Sequence, residues 1–450
     1  MKEIYKQVKL LSDISKNQML RWQIIVLASI YGAYSLLNLL RTTIVIVSPA
    51  LLEDPSINLN KTMWGGILGW GTAGTLLGKL TTGLMADKFG GRKVFLFSIG
   101  LCMFSTWIFG MVSNYYLFSL AFFIAMLAKS AGWPSIANLI KNWYPKIWFG
   151  RVWGILSSSS MSSSFFTSIL MGTILITTSW RFTVTVSLPI VFSFSILLFF
   201  YLKQSPADVT MDPYYLKGDK EPIYSSKKNH FLDNFSVKAA IKEFLGSSRF
   251  WLICVSIMCL TILMAFQGFI PICLKENFNI SSGQASLASS VFPLGSMFSV
   301  LIGGFIYDKL TKKNRITALG LMMLLATGCV FVLLLLIKSK RNDSDALFLA
   351  LSVIMVYGLM IAPCYLIPMS VFSVDFGGKH CGLLIGIIDA TGYFASMIFE
   401  FYGGVIADRL DGWFQLLYII FCTSILGTIA LVTFLFIDFR VFIKKDNLIK

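Results

Sequence analysis

A chain of 450 residues that is 56% hydrophobic and 13% charged, with a mean hydropathy of +0.75, holds more apolar surface than one or two water-soluble domains can bury. Lipid is therefore its solvent. The formal net charge of +16 does not indicate a nucleic-acid partner, because the bases fall in the connections between long apolar runs instead of lining one soluble face.

Each apolar run of about 20 residues must be a helix, since hydrocarbon leaves every backbone N–H and C=O to be satisfied within its own segment. About twelve such spans are expected. They cover roughly 22–47, 63–86, 93–112, 115–137, 150–176, 182–202, 249–273, 284–307, 316–337, 346–372, 382–406 and 412–438. The polar, basic N-terminus leads straight into the first of them, so no cleavable signal is expected. One connection is long, charged and Pro-bearing, and it divides the chain into bundles at 1–202 and 249–450 with a linker at 203–248. Bases cluster at the N-terminus, after spans 2, 4 and 8, in the linker and in the tail from Arg440 to Lys450. By the positive-inside rule both termini are cytoplasmic; which membrane holds the chain, plasma or organelle, is left open.

Taking the spans in order, four ionisable side chains lie deep enough to be functional candidates: Arg41 in span 1, Lys79 in span 2, Lys129 in span 4 and Asp389 in span 11. A snorkelling lysine is the alternative for Lys79, although it lies eight residues before Asp87 at the span's end. Glu400 is a second cavity acid or an interfacial one. Span 5 carries a serine run from Ser157 to Ser164, broken by Met161, that serves close helix packing or lines a cavity. His230 and His380 lie outside the spans, so any proton coupling falls to Asp389 or Glu400. Cysteines are mostly inside spans and lack metal-ligand spacing. With no nucleophile–base set, metal cluster or phosphate-binding glycine loop in the sequence, neither an enzyme, a metal nor a cofactor is expected. Asn-x-Ser/Thr triplets begin at Asn60, Asn279 and Asn342 in loops opposite the termini and at Asn234 in the linker.

After span 2 the chain reads Gly83-Leu84-Met85-Ala86-Asp87-Lys88-Phe89-Gly90-Gly91-Arg92-Lys93. After span 8 a degraded copy runs from Gly303-Gly304 through Asp308-Lys309 to Arg315. The first string resembles the signature loop of the major facilitator superfamily, and its echo makes the halves parallel repeats. The resemblance implies an all-α membrane protein of the major facilitator fold, with twelve transmembrane helices in two six-helix bundles. Gly83, Asp87, Arg92 and Asp308 are then gating candidates, against the alternative of solvated turn charges that only set topology. A narrower resemblance rests on Ala131-Gly132-Trp133-Pro134, Asn142-Trp143-Tyr144, Trp153-Gly154, Ser205-Pro206-Ala207-Asp208, Pro271 to Glu276 and Ile387-Ile388-Asp389-Ala390-Thr391-Gly392. These strings are similar to the organophosphate:phosphate antiporters, the last most of all to solute carrier family 37.

That resemblance implies that Arg41 binds a substrate phosphate, assisted by Lys79 and Lys129, the last standing where the family has a glutamine. A guanidinium suits the work because it is permanently charged and forks two donors onto one phosphate. Tyr34, Asn38 and Gln267 would contact the rest of the substrate, and Asp389 would pair with one of the cations in the empty carrier. The pattern departs in two places. Leu263 stands where the antiporters carry a second arginine in span 7, and Ser159 stands where bacterial members carry a histidine. The expected function is a secondary transporter of a small organic anion by alternating access, with a sugar phosphate or other organophosphate in exchange for phosphate as the candidate cargo. A facilitative or proton-coupled carrier of a monocarboxylate, vitamin or amino acid stays open, as does a ligand sensor that transports nothing. The expected partners are an anionic small molecule and the bilayer, with no nucleic acid, and the carrier is expected to be monomeric.

Overall fold

The computed structural model describes residues 2–145, 148–209, 232, 235–341 and 343–447. His230, Asn234, Asn342 and most of the linker lie outside the described residues. Twelve spans form, all helical. In chain order they are α1 (Lys2–Ile46, continued as Ser48–Glu53), α2 (Lys61–Phe89), α3 (Gly91–Met111), α4 (Tyr115–Ser130, then Gly132–Trp143), α5 (Phe149–Thr177) and α6 (Trp180–Tyr201). The second half repeats the set with α7 (Ser248–Ala265, then Ile270–Phe278), α8 (Ser282–Ala288, then Val291–Lys309), α9 (Lys312–Lys338), α10 (Ser344–Gly377), α11 (Cys381–Ala407) and α12 (Gly412–Asn447).

Local chemistry fixes where several of these begin. The side chains of Asn60, Asn114, Ser179, Thr311 and Asp343 each accept from a backbone N–H in the first turn of α2, α4, α6, α9 and α10. Ser281 and Gln284 form a reciprocal capping box at α8. Asn60, the first residue of a sequon, is thus occupied as a helix cap, and Asn279 takes a left-handed conformation that ends α7.

Among the described residues eleven helices are long and apolar enough to cross a membrane on composition alone; α2 is the twelfth span and falls short. Its glycines and threonines lower its hydropathy, and they are there for packing. A Cβ on Gly74 would lie 2.3 Å from the Phe123 carbonyl of α4, and one on Gly65 would lie 2.5 Å from the Glu400 carbonyl of α11. So α2 presses its backbone against both bundles at once, as small residues permit within a membrane.

The spans at α4, α7 and α8, expected to be continuous, are interrupted. Pro134, Pro271 and Pro293 lack the N–H that would reach back one turn, and their rings crowd the carbonyl there. In α7 the result is a short 3₁₀ turn at Phe266–Gly268. In α8 the chain breaks at Ser289 and Ser290.

The halves touch through α2 against α11 and through α5 against α8. The end of the molecule opposite the termini, called distal here, is sealed. Lys61 pairs with Glu276 at 2.8 Å, and Glu276 also accepts from the Trp413 indole at 2.6 Å. Thr62 donates to Asp408 at 2.9 Å and Trp64 to the Gly268 carbonyl at 3.1 Å. Lys275 and Ser282 both engage Glu53, and Gly172 and Gly283 meet the backbone of the opposing half. The polar contacts between the halves gather at this end and at Lys79 with Asp389, and toward the termini Gly83, Gly154, Gly382 and Gly386 have open space where a Cβ would stand.

Candidate functional site

The seam between α2 and α11 is a ladder, because the two helices run antiparallel and face one another over several turns. Starting at the distal mouth, its rungs are Thr62 with Asp408, Gly65 with Gly404, Thr72 beside Glu400, and Lys79 with Asp389. The last rung joins the two halves near mid-membrane. Lys79 Nζ is in direct contact with Asp389 Oδ2, so it does not snorkel in this conformation. Tyr365 of α10 donates to the other carboxylate oxygen at 2.9 Å, and the Lys79 ammonium lies 4.3 Å from the centroid of the Tyr393 ring. The side chains of Lys79 and Asp389 are 25% and 11% exposed, dry enough that the pair is held by its own geometry and its tyrosine partners.

Tyr34 is buried against Trp133, ring centroids 4.9 Å apart, and Trp133 stacks on Trp153 at 5.5 Å. It lies within electrostatic reach of Lys79. Lys129, at the end of the first piece of α4, is within electrostatic reach of both Arg41 and Lys79. The three bases expected from sequence, all from the first half, are thus linked through Lys129.

Arg41 lines a narrow pocket. Thr42 and Ser168 join it from the first half, and Gln267, Pro271 and Ser289 from the second. The breaks in α7 and α8 are what bring Gln267 and Ser289 there. Arg41 Nε is buried and makes no hydrogen bond. Glu400 is also buried, its Oε2 likewise partnerless; it feels the Arg41 charge without forming an ion pair with it.

Asn38 and Ser159 are placed differently. Asn38 is fully buried and donates through Nδ2 to the Ser160 carbonyl at 2.8 Å, Ser163 Oγ at 2.9 Å and Ser164 Oγ at 2.6 Å. Ser159, also fully buried, donates to the Leu156 carbonyl at 2.6 Å. The serine run lets α1 settle on α5, and Asn38 ties the two together. In α7, Leu263 is fully buried and the Tyr357 hydroxyl caps its carbonyl at 2.9 Å, so the second half offers no arginine at this level.

Of the gating candidates, Asp87 is exposed at the end of α2. Arg92 binds within its own half, its backbone N–H to Gln204 Oε1 and its guanidinium to the Phe199 carbonyl, both at 2.8 Å. Asp308 lies in α8, with its side chain outside the described residues.

Tyr365, Tyr393, Thr72, Ser168 and Ser289 were not anticipated. For Tyr393 and Thr72 a signal existed: Tyr393 follows Asp389 by four residues and Thr72 precedes Lys79 by seven, which puts each on the same helix face as the charge.

The chain matches the family model of the Major Facilitator Superfamily over residues 30–400. It is similar to the human sugar phosphate exchanger 3, at 22% identity over 92% of each chain. A glucose-6-phosphate exchanger of Xenopus tropicalis is also 22% identical, over 96% of each chain. Among solved structures the chain superposes on a bacterial homologue of the human lysosomal transporter Spinster in an inward-facing, unoccupied conformation. The TM-score is 0.69 at 13% identity, covering 94% of this chain and 98% of that one. A D-xylose–proton symporter gives a TM-score of 0.66 at 14% identity, covering 91% and 97%. This polytopic membrane protein belongs to the Major Facilitator Superfamily and is a secondary transporter, not an enzyme.

Proposed function

We propose that the chain exchanges a sugar phosphate, or an organophosphate of similar size, for inorganic phosphate. The observation that carries this reading is Lys129 standing within electrostatic reach of both Arg41 and Lys79, with a built-in carboxylate, Asp389, already seated on Lys79. Like charges collected in a poorly solvated space are tolerable only when an anion shares it. A phosphate dianion entering from the end that carries the termini takes a fork of donors from Arg41 and competes with Asp389 for Lys79. Gln267 and Ser289 are the polar groups across the pocket that meet the sugar, with Tyr34 on the near wall. Asn38 contributes by holding α1 on α5, which fixes Arg41, while Ser159 spends its hydroxyl within α5. The names of the relatives support the same substrate class.

In this reading the bodies 1–202 and 249–450 rock about the site with 203–248 as tether. Gly83, Asp87, Arg92 and Asp308 close the end that carries the termini when the distal seam opens. Both termini are cytoplasmic by the placement of bases, which makes the present conformation inward-open, and one chain suffices for transport. The test is a panel of labelled anions in liposomes holding purified protein, with Arg41→Ala as control. Phosphate efflux that depends on external sugar phosphate or phosphate supports exchange. Net flux without a counter-substrate supports a uniporter or symporter, and saturable binding without flux a sensor; either outcome overturns the proposal.

A further inference from the structure

Glu400 is left unused by that exchange scheme. It sits three turns along α11 from Asp389, on the same face, and is 7% exposed. Gly65 of α2 packs onto its carbonyl, so burial of the side chain is produced by the closure of the seam itself. Every neighbouring element is poor in counter-charge. From α2 the Thr72 hydroxyl reaches the carboxyl, while Gly65 lies on the Glu400 backbone carbonyl and Gly69 against the adjoining Phe401. Phe269 of α7 covers the adjoining Phe399, and Leu416 of α12 meets Gly403. From α1 comes Arg41, whose charge reaches Glu400 but forms no ion pair with it. One carboxyl oxygen has no hydrogen-bond partner at all. A carboxylate so placed would have lost its water without gaining a base, and the uncharged acid is the form that fits.

We propose that Glu400 is a proton-binding site built into the α2–α11 seam: it holds a proton while the distal side is shut and releases it to the distal solution when the two helices part. Opening separates Gly65 from Gly404 and admits water to the carboxyl, whose O–H then ionises and passes its proton to that water. The sign follows from linkage. Because the shut form binds the proton more tightly, acid favours the shut form. The ratio of shut to open rises by at most about tenfold per pH unit, within a window that begins near the hydrated glutamate value of about 4.3 and whose upper end is set by the shut form. Outside that window the ratio is flat. The nearby loop acid Asp54 does not answer to this window, since hydrogen bonds from Ser56 and Trp180 hold it below the usual carboxylate range. None of this depends on the cargo, so the sugar-phosphate reading can fail while this one stands.

The experiment is a distance measurement between nitroxide labels at Asn58 and Gln415, exposed positions on the distal face of opposite halves. The full chain is reconstituted in lipid without substrate, with Cys329, Cys381 and Cys422 replaced by Ser. Between pH 8 and pH 5 the short-distance population should grow in the otherwise native chain. Glu400→Gln should hold a large short-distance population at every pH, and Glu400→Asp should restore the response. Thr72→Val, which removes only the neighbouring hydroxyl, should move its midpoint and serves if the Gln variant does not fold. A native chain that ignores pH, a Gln variant that responds as the native chain does, or an unmoved midpoint in Thr72→Val overturns the proposal.

Discussion

Replacing Asp389 by Asn tests whether substrate must displace an internal carboxylate. The substitution keeps an oxygen to accept from Tyr365, now at 2.9 Å, and removes only the charge that faces Lys79. Two unit charges about 4 Å apart at an effective dielectric of about 20 attract by about 4 kcal/mol. The pair is 25% and 11% exposed on its two side chains, and the solvent that reaches it reduces the usable part to about 1–3 kcal/mol. Freed of that competitor, Lys79 should bind a phosphate ~5- to 150-fold more tightly. Exchange turnover should fall at the same time, because a carrier that grips its cargo harder lets go more slowly. Equilibrium binding of labelled phosphate and sugar phosphate to purified protein gives the first quantity, and liposome exchange gives the second. Lys79→Gln should move binding the opposite way. If Asp389→Asn binds either anion no more tightly than the native chain, Asp389 is not the competitor and the displacement scheme fails.

Arg41→Ala should weaken phosphate binding by about 2–5 kcal/mol, ~30- to 5,000-fold. It should leave the thermal unfolding midpoint in detergent unchanged, because Arg41 Nε makes no hydrogen bond that folding would lose. Asn38→Ala should do the reverse, lowering the midpoint through loss of three buried contacts to α5, a cost of about 1–3 kcal/mol. Gly65→Val should hold the distal side open, since even a Cβ there would lie 2.5 Å from a backbone carbonyl; the distance between nitroxides on Asn58→Cys and Gln415→Cys should lengthen while exchange is lost. Gly83→Val meets open space in this conformation, so any loss of exchange it causes must arise in the opposite conformation, with the distal nitroxide distance unchanged.

The number and order of spans were legible because each is an uninterrupted apolar run, and α2 was legible despite its low hydropathy from its position before the Gly83–Lys93 string. The breaks were not. Pro189 and Pro363 lie inside continuous helices while Pro134, Pro271 and Pro293 follow interruptions. Proline within a membrane is tolerated or not according to which neighbour re-satisfies the freed carbonyl, a tertiary matter. The same holds for the charges. Sequence marked Arg41, Lys79, Lys129 and Asp389 as residues needing a reason to be in lipid, but Lys79 and Asp389 are 310 positions apart, and only the antiparallel seam decides that Lys79 is the cation Asp389 meets. Asn38 and Ser159 show the converse limit: polar residues near a cavity in sequence spend their hydrogen bonds on helix packing.

The distribution of charge between the halves bears on why such a carrier would exchange and not leak. All three interior bases belong to α1, α2 and α4, whereas the two interior acids, Asp389 and Glu400, belong to α11. A second arginine across the cavity would let both halves hold the anion by themselves; the buried Leu263 removes that option. The second half instead brings a carboxylate that satisfies Lys79 only when the halves are aligned as here. Opening the distal side with no cargo strips Lys79 of Asp389, a cost of about 1–3 kcal/mol for this partly exposed pair. A phosphate that has already taken Lys79 from Asp389 leaves no such charge unmet, so the loaded carrier crosses ~5- to 150-fold more readily than the empty one. The ratio of counter-substrate-driven to unopposed phosphate efflux should lie in that range, and should collapse toward one in the double variant Lys79→Gln, Asp389→Asn, which has no pair to break.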